Sequence, residues 1–338
     1  MRILLWHVHG SWTTSFVQGG HEYLLPLTPH RDADGLGRAR TWDWPESTVE
    51  VPTDRLPETD IDLMLLQRPH ELELAERWTG RRPGRDVPAL YLEHNTPEGE
   101  VPCTRHPMAD HPDIPVVHVT HFNRLFWDCG SARTHVIEHG IVDPGHLYTG
   151  EWARGAVVVN DPVRRGRSVG TDLLPGLAEA APLDVFGMRV RDLATTLGVR
   201  GDRMWTFEDL PQHQLHREMA RRRVYVHTPR WTSLGLSLLE AMHLGMPVVA
   251  LATTDVVRAV PPEAGVVSTR PEDLQTAVWR YVHDPAEAAA AGRAAREAAT
   301  ARYGLGRFLA DWDELLTDHA DERRHSWSRL PHAASAER

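Results

Sequence analysis

The sequence predicts an α/β protein in which two doubly wound domains face each other across a cleft. Short, continuous apolar runs recur along the chain, among them RILLWHV, PVVHVT, GAVVVN and MPVVAL, and each ends at polar or glycine residues. Stretches with helical spacing, such as TDLLPGLAEAA and LSLLEAMHL, alternate with these runs. Continuous apolar strands that alternate with helices are typical of parallel sheets covered on both faces.

The division into two domains rests on length and on a break in the pattern. A chain of 338 residues is longer than one typical domain. The strand pattern restarts at GAVVVN, after the aperiodic stretch DPGHLYTGEWARG. We therefore expect one domain over residues 1–150 and another over residues 151–304. Ligands of such sheets bind at the carboxyl ends of the strands, so the cleft between the domains is the expected site.

The C-terminal region is predicted to be helical. Within residues 305–320 the apolar side chains form one stripe, which consists of Phe308, Leu309, Trp312, Leu315 and Leu316. Because a stripe that follows a completed domain needs a surface to cover, we expect this helix to pack back on the N-terminal domain. Residues 321–338 are predicted to be a tail, and its weakly patterned end, HSWSRLPHAASAER, is expected to fray.

The composition excludes several classes of function. Acidic residues outnumber basic ones by 47 to 37, so nucleic-acid binding is not expected. The chain has no lysine, which excludes a P-loop lysine and a lysine Schiff base. Cys103 and Cys129 have no CxxC spacing, so neither a disulfide framework nor a thiolate metal site is indicated. No apolar run reaches the ~18 residues of a transmembrane segment, and we expect a cytoplasmic protein.

Candidate ligand contacts in the first half follow predicted strands. Gly10 follows the first strand, and Gly19 and Gly20 come soon after it, where glycines would let the backbone approach a ligand. The spacing differs from GxGxxG, so a dinucleotide fingerprint is absent. His94 follows the strand PALYL, where an imidazole could donate to a substrate hydroxyl or phosphate. An ordinary strand-to-helix turn and a structural histidine are the alternatives.

Three arginines lie between the strand GAVVVN and a helix that begins near Gly170. Arg164, Arg165 and Arg167, together with free N–H groups at a helix N-terminus, would favour a pyrophosphate. Solvated surface arginines are the alternative. The DxD triplets at 32–34, 60–62 and 311–313 do not end strands and recur by chance in an acidic chain, so no metal site is expected.

One carboxylate, Glu240, lies in the otherwise apolar run SLGLSLLEAMHLGMPVVAL. A buried carboxylate is costly unless a group donates to it. Glu240 therefore needs either a structural partner, such as an arginine, or a ligand with paired hydroxyls such as a ribose. Free N–H groups at the start of this helix offer a further anion site.

The same run resembles the donor-binding signature of retaining GT-B glycosyltransferases, especially those of family 4. The matching residues are Gly235, Glu240, Ala241, Met242, Gly245, Pro247 and Val248. LEHNTP, VIEHGIVDP, GTDLL and GVVSTRPEDLQTAVWRYVHDP resemble further segments of this family in the expected order. The resemblance implies the GT-B architecture, in which two Rossmann-like domains face a central cleft.

The resemblance also implies an activity. A sugar would pass from a UDP- or GDP-sugar, held by the C-terminal domain, to an acceptor held by the N-terminal one, with retention and without metal or another cofactor. Glu240 would bind the ribose, His94 the donor sugar and Arg164 the phosphates. Further donor contacts are expected from Gly10, Gly19, Gly20, Arg165, Arg167, Thr232, Ser233, Leu234, Gly235 and Leu236. The acceptor (a small molecule, a glycan or a lipid-linked compound) and the oligomeric state stay open.

Two positions depart from the pattern of the family. Its first glutamate falls on Thr232, and its lysine falls on Val169. An unusual donor sugar, a different recognition of the sugar hydroxyls, or weakened catalysis would each fit these departures. Two other functions therefore stay open: a nucleotide-sugar epimerase with the same architecture, and a catalytically weak protein that binds nucleotide sugars.

Overall fold

The structure is a computed structural model that describes residues 1–40 and 42–328, with side chains up to Glu322. Within these residues the chain forms two parallel sheets, of seven and six strands, with helices packed on them. The predicted α/β fold class is confirmed. The central strands show why: every residue of Leu63–Leu66 and of Val248–Leu251 is buried, because helices cover both faces of each sheet.

The first sheet has the strand order β3-β2-β1-β4-β5-β6-β7. Its strands are β1 (Arg2–Leu5), β2 (Glu22–Leu27), β3 (Thr48–Pro52), β4 (Leu63–Leu66), β5 (Ala89–Glu93), β6 (Val116–His118) and β7 (Thr134–Val136). The helices between them are α1 (Gly10–Phe16), α2 (Glu71–Thr79) and α3 (His121–Phe126), with a 3₁₀ turn at Leu56–Glu58. The strand order reverses beside β1, which places the loop after β1 at a switch point of the sheet.

The second sheet has the strand order β10-β9-β8-β11-β12-β13. Its strands are β8 (Trp152–Val158), β9 (Leu183–Gly187), β10 (Met204–Glu208), β11 (Arg222–His227), β12 (Val248–Leu251) and β13 (Gly265–Ser268). The helices among and after them are α4 (Pro162–Arg165), α5 (Leu174–Ala180), α6 (Leu193–Thr196), α7 (Gln212–Ala220), α8 (Leu236–Leu244), α9 (Val256–Ala259), α10 (Pro271–His283) and α11 (Pro285–Arg302). Three 3₁₀ turns lie at Gly166–Val169, Thr171–Leu173 and Pro262–Ala264.

The last helix, α12 (Leu305–Ser328), packs against the first sheet. Phe308, Trp312 and Leu316 share one apolar cluster with Trp12 and Phe16 of α1. The helix is longer than the sequence predicted, because residues 321–328 continue it. Residues 329–338, the end of the segment that was expected to fray, lie outside the described residues.

Candidate functional site

The carboxyl ends of the two sheets face each other, and a hydrogen bond between Ser11 and Glu240 crosses from one to the other. Ser11, at the start of α1, donates from Oγ to Oε1 of Glu240 in α8 over 2.9 Å, although the two residues are 229 positions apart. α1 follows β1 and α8 follows β11, so both side chains lie at the sheet edges where α/β proteins bind ligands. The expected cleft therefore lies around Glu240.

The Glu240 side chain is buried, and its partners are not arginines. The residue is 5% exposed. Nε2 of Gln212 donates to Oε1 over 3.1 Å, and Nε2 of His216, one turn further along α7, lies 3.4 Å from Oε2. Burial alone would raise the pKa of Glu240, but the nearby His216, with the hydrogen bonds of Ser11 and Gln212, holds it below its usual value. The carboxylate is thus charged at neutral pH, and it accepts hydrogen bonds from Ser11 and Gln212, which the hydroxyls of a ligand could replace.

Helix α8 begins without a side-chain cap. Gly235 is its N-cap residue, and none of the described side chains caps the helix with a hydrogen bond. A Cβ atom on Gly235 would lie 2.5 Å from Cε1 of His227 at the end of β11, so only glycine fits there. Ser233 and Leu234 are buried just before the helix, while Thr232 and Leu236 are partly buried. The free amides and the helix dipole make this terminus a site for an anion.

The loop that carries Arg164, Arg165 and Arg167, here called the arginine loop, is held against the end of β11. Gly170 has φ +74°, and a Cβ atom on it would lie 2.1 Å from the carbonyl oxygen of Thr228, so a larger residue would force the two loops apart. Thr228 Oγ1 donates to the carbonyl of Val169 over 2.8 Å. The amide of Arg230 donates to the carbonyl of Ser168, also over 2.8 Å. The arginines therefore lie beside the loop that leads into α8.

The three arginines of the loop differ in their partners. Arg164 pairs with Asp161, which also accepts from Arg189 at 3.0 Å. Arg167 lies 2.8 Å from Asp172, which also pairs with Arg230. Among the residues whose side chains the structure describes, Arg165 has no acidic partner within ion-pair distance. Of the three, Arg165 could therefore bind a phosphate without releasing an acidic partner, whereas the family resemblance had assigned the phosphates to Arg164.

Val169 occupies the position where the family resemblance expects a lysine. Its side chain is 2% exposed and packs in the core of the second sheet with Leu174 and Val226. A side chain that packs in this core does not reach a ligand in the cleft. Any cationic contact made by that lysine in related proteins has to come from another residue here.

His94 is buried near the first-sheet side of the cleft with a defined tautomer. Its Nε2 lies 2.9 Å from Oε1 of Gln67, whose Nε2 donates to the carbonyl of Trp6 over 2.7 Å. This arrangement assigns the proton of His94 to Nε2 and leaves a lone pair on Nδ1 as an acceptor. Burial, followed by the charges of His9 and His139, lowers the pKa of His94 well below its usual value. The imidazole is therefore neutral.

Gly19 and Gly20 lie away from this site, in contrast to the sequence prediction. Gly10 begins α1 at the carboxyl edge of the sheet, but the helix then carries the chain back to the amino edge. There Glu22 pairs with Arg2, at the start of β1. A Cβ atom on Gly19 would lie 2.4 Å from the hydroxyl of Tyr23. The prediction that Gly19 and Gly20 contact the donor is therefore corrected, because a seven-residue helix separates them from the cleft.

Several residues of the site carried no sequence signal. Ser11, Gln212 and His216 surround Glu240 from two other helices. Trp231 donates from Nε1 to the carbonyl of Pro97 over 2.8 Å, and its ring packs edge-on against Phe122 at 5.6 Å. These contacts join segments far apart in sequence, and no local spacing could have predicted them.

Among the residues whose side chains the structure describes, no group of three or more His, Cys, Asp or Glu is arranged to hold a metal ion. None of the described helices is both long enough and apolar enough to span a membrane.

Two parallel α/β sheets whose carboxyl ends face a shared cleft are the architecture of the GT-B fold. Solved structures share this fold. Sucrose-phosphate synthase from Thermosynechococcus elongatus is similar with a TM-score of 0.66 and 17% identity over 94% of this chain and 98% of that one. HepE from Anabaena in complex with UDP is similar with a TM-score of 0.68 and 14% identity over 94% of this chain and 99% of that one.

Residues 179–298 match the family model described as "Glycosyl transferases group 1". This segment includes α8 and the whole signature around Glu240. TarM from S. aureus, in complex with fondaparinux, α-GlcNAc-glycerol and UDP, is similar with a TM-score of 0.59 and 15% identity over 75% of this chain. The present chain spans only 55% of that TarM chain. No curated protein sequence matches the chain.

Proposed function

We propose that the chain is a glycosyltransferase that moves a sugar from a nucleotide-sugar donor to an acceptor hydroxyl. The observation that carries this proposal is the carboxylate of Glu240, which is buried, charged and bound to a hydroxyl from the opposite domain. The two vicinal hydroxyls of a ribose can donate to such a carboxylate. UDP in the similar HepE and TarM structures makes a UDP-sugar the first donor to test, with a GDP-sugar as the second.

The diphosphate of the donor would lie between Arg165 and the start of α8. Ser233, Leu234, Gly235 and Leu236 contribute backbone to that terminus, and Arg165 contributes a charge that no described carboxylate neutralises. Such fixed positive groups stabilise the departing diphosphate, as a metal ion does in other enzymes. We therefore propose that catalysis needs no metal. To bind the diphosphate, Arg164 would first have to release Asp161, and Arg167 would have to release Asp172.

The proposed reaction retains the configuration of the sugar. The acceptor oxygen forms a bond to the anomeric carbon on the face from which the diphosphate leaves, and the bond between that carbon and the phosphate oxygen breaks. The acceptor proton passes to the departing phosphate oxygen, so the products are a glycoside and a nucleoside diphosphate. His94, neutral and with a lone pair on Nδ1, would accept a hydrogen bond from the donor sugar.

A second candidate is a protein with the same fold that binds nucleotide sugars and transfers them poorly. Thr232 and Val169 favour this candidate, because a threonine and a core valine replace the two charged residues that the family resemblance expects. Both candidates require nucleotide binding, and only the first requires turnover.

Calorimetry with UDP, GDP, ADP and their sugar conjugates tests both candidates at once. We expect one nucleotide to bind wild-type protein and to bind Glu240→Ala at least tenfold more weakly. Product analysis with an acceptor panel, with and without EDTA, then tests transfer, retention and metal dependence. Failure of every nucleotide to bind would reject both candidates. Binding without transfer to any acceptor would favour the second.

A further inference from the structure

Three histidines meet at the carboxyl edge of the first sheet. His9 caps α1, His94 follows β5 and His139 follows β7. The rings of His9 and His94 have centroids 4.1 Å apart. The charge of His9 affects the pKa of His139, and the charges of His9 and His139 affect that of His94, so the three rings are neighbours. The proposed function uses only His94 of this set.

His139 differs from His94 and His319, two other buried histidines that pack on the first sheet, in having no partner for its ring. It is 2% exposed, and within the described part of the chain neither Nδ1 nor Nε2 has a hydrogen-bond partner. Buried polar atoms are nearly always hydrogen-bonded. By contrast, His94 bonds to Gln67, and His319 donates to the carbonyl of Ala89 over 3.0 Å.

The backbone at His139 is nevertheless held in place. Arg307, in the first turn of α12, donates to the carbonyls of Glu138 and His139, and it also pairs with Asp311 at 2.7 Å. A fixed backbone with an unpaired ring is the arrangement expected of a side chain whose partner is a ligand.

The chemistry of the ring indicates what kind of group it would bind. Among the described residues, no metal-binding cluster includes it. Burial, followed by the charges of His9 and Arg307, lowers the pKa of His139 to about 3, so the ring is neutral. A neutral imidazole has one N–H donor and one acceptor, which is the complement of a hydroxyl group. The carboxyl edge beside His94 is also where the donor sugar is proposed to lie.

We infer that His139 binds a hydroxyl group of the transferred sugar, beside His94, and so contributes to the choice of donor sugar. This inference rests on the proposed function, because it requires a sugar at the first-sheet side of the cleft. It assigns His139 to sugar recognition and not to the nucleotide, whose proposed contacts lie on the second sheet around Glu240 and Arg165.

The test compares a nucleoside diphosphate with its sugar conjugate. By calorimetry, UDP and UDP-glucose (or GDP and GDP-mannose, if only GDP binds) are titrated into wild type, His139→Leu and His139→Asn. We expect His139→Leu to bind the diphosphate within about twofold of wild type and the sugar conjugate about tenfold more weakly. His139→Asn keeps a donor and an acceptor, so it should recover part of that loss. His319→Leu is the control, because it removes a buried histidine at the amino edge of the same sheet.

The possible outcomes separate the inference from the proposed function. An unchanged ratio of the two affinities in His139→Leu would overturn the inference and leave the proposed function standing. Equal weakening of diphosphate and conjugate would also overturn it, because that is the result of a structural role. Absence of any nucleotide binding in wild type would reject the proposed function and the inference with it. Melting temperatures of all variants show whether each is folded, and replacing an unpaired ring with leucine should not lower stability.

Discussion

Ser11 Oγ donates to Glu240 Oε1 across the cleft over 2.9 Å, so a hydroxyl of the first domain occupies an acceptor that the proposed ribose needs. The ribose must either displace Ser11 or share the carboxylate with it. If the ribose displaces Ser11, the contact between Ser11 and Glu240 competes with the nucleotide. The same contact then joins the two domains when no nucleotide is bound.

We expect Ser11→Ala to increase the affinity for UDP by about three- to tenfold. The reason is that the variant removes one hydrogen bond to a charged acceptor, and such bonds contribute about 1.5–3 kcal/mol, part of which the ribose regains. Calorimetry measures the change. Ser15→Ala, in the same helix and without a bond to Glu240, is the control. A weaker affinity in Ser11→Ala would show that Ser11 and the nucleotide share the carboxylate.

Glu240→Gln should abolish most of the turnover while the protein stays folded. Glutamine has nearly the same shape, but it replaces a charged acceptor that binds Ser11 and Gln212 with a neutral amide. We expect kcat/KM to fall by about 10- to 100-fold, the loss expected for one charged hydrogen bond. Steady-state kinetics and circular dichroism check the two parts of the prediction. Unchanged kinetics in a folded variant would remove Glu240 from the site.

Arg165→Ala should reduce kcat/KM more than Arg164→Ala does. Arg165 has no acidic partner among the described side chains, whereas Arg164 is already paired with Asp161. An unpaired guanidinium can give both of its parallel N–H groups to a phosphate, so its loss should cost about 10- to 100-fold. Arg167→Ala, which removes an arginine that is paired with Asp172, should likewise reduce kcat/KM less than Arg165→Ala does. A larger loss in Arg164→Ala would mean that the loop rearranges when the donor binds.

The buried histidines should make the protein sensitive to acid. Burial, then Arg68, lowers the pKa of His9 to about 4, and burial, then His9 and Arg307, lowers that of His139 to about 3. Because the folded values lie below the unfolded value of about 6.5, the unfolded chain binds more protons in this window, and stability falls as pH falls below about 6.5. At about pH 5 each histidine should cost roughly 2 kcal/mol. Melting curves of wild type and His139→Leu between about pH 4 and pH 8 should diverge toward the acidic end, where the variant should be the more stable, and parallel curves would contradict the prediction.

The parts of the molecule that local pattern determines could be predicted from the sequence. The parallel strands, the helix over Leu236–Leu244 and the position of the arginine loop follow from apolar runs and helical spacing. Long-range pairing could not be predicted. The choice of Arg165 over Arg164 depends on Asp161, and Asp161 in turn also binds Arg189 from the neighbouring loop. Gly19 and Gly20 were misplaced because the sequence did not fix the length of α1.

Thr232→Glu should change the donor preference. Thr232 lies just before α8 at the position of the family's first glutamate, and the dipole of the helix N-terminus would stabilise a carboxylate there. A carboxylate has two oxygens and can accept from two neighbouring sugar hydroxyls, whereas the single hydroxyl of threonine cannot span both. If a glycosyl-transfer site is present, we therefore expect kcat/KM for UDP-glucose or GDP-mannose to rise by about tenfold in Thr232→Glu. Thr232→Gln, of similar size but without the charge, should show a smaller rise. An unchanged donor profile in a folded Thr232→Glu would mean that this position does not contact the sugar.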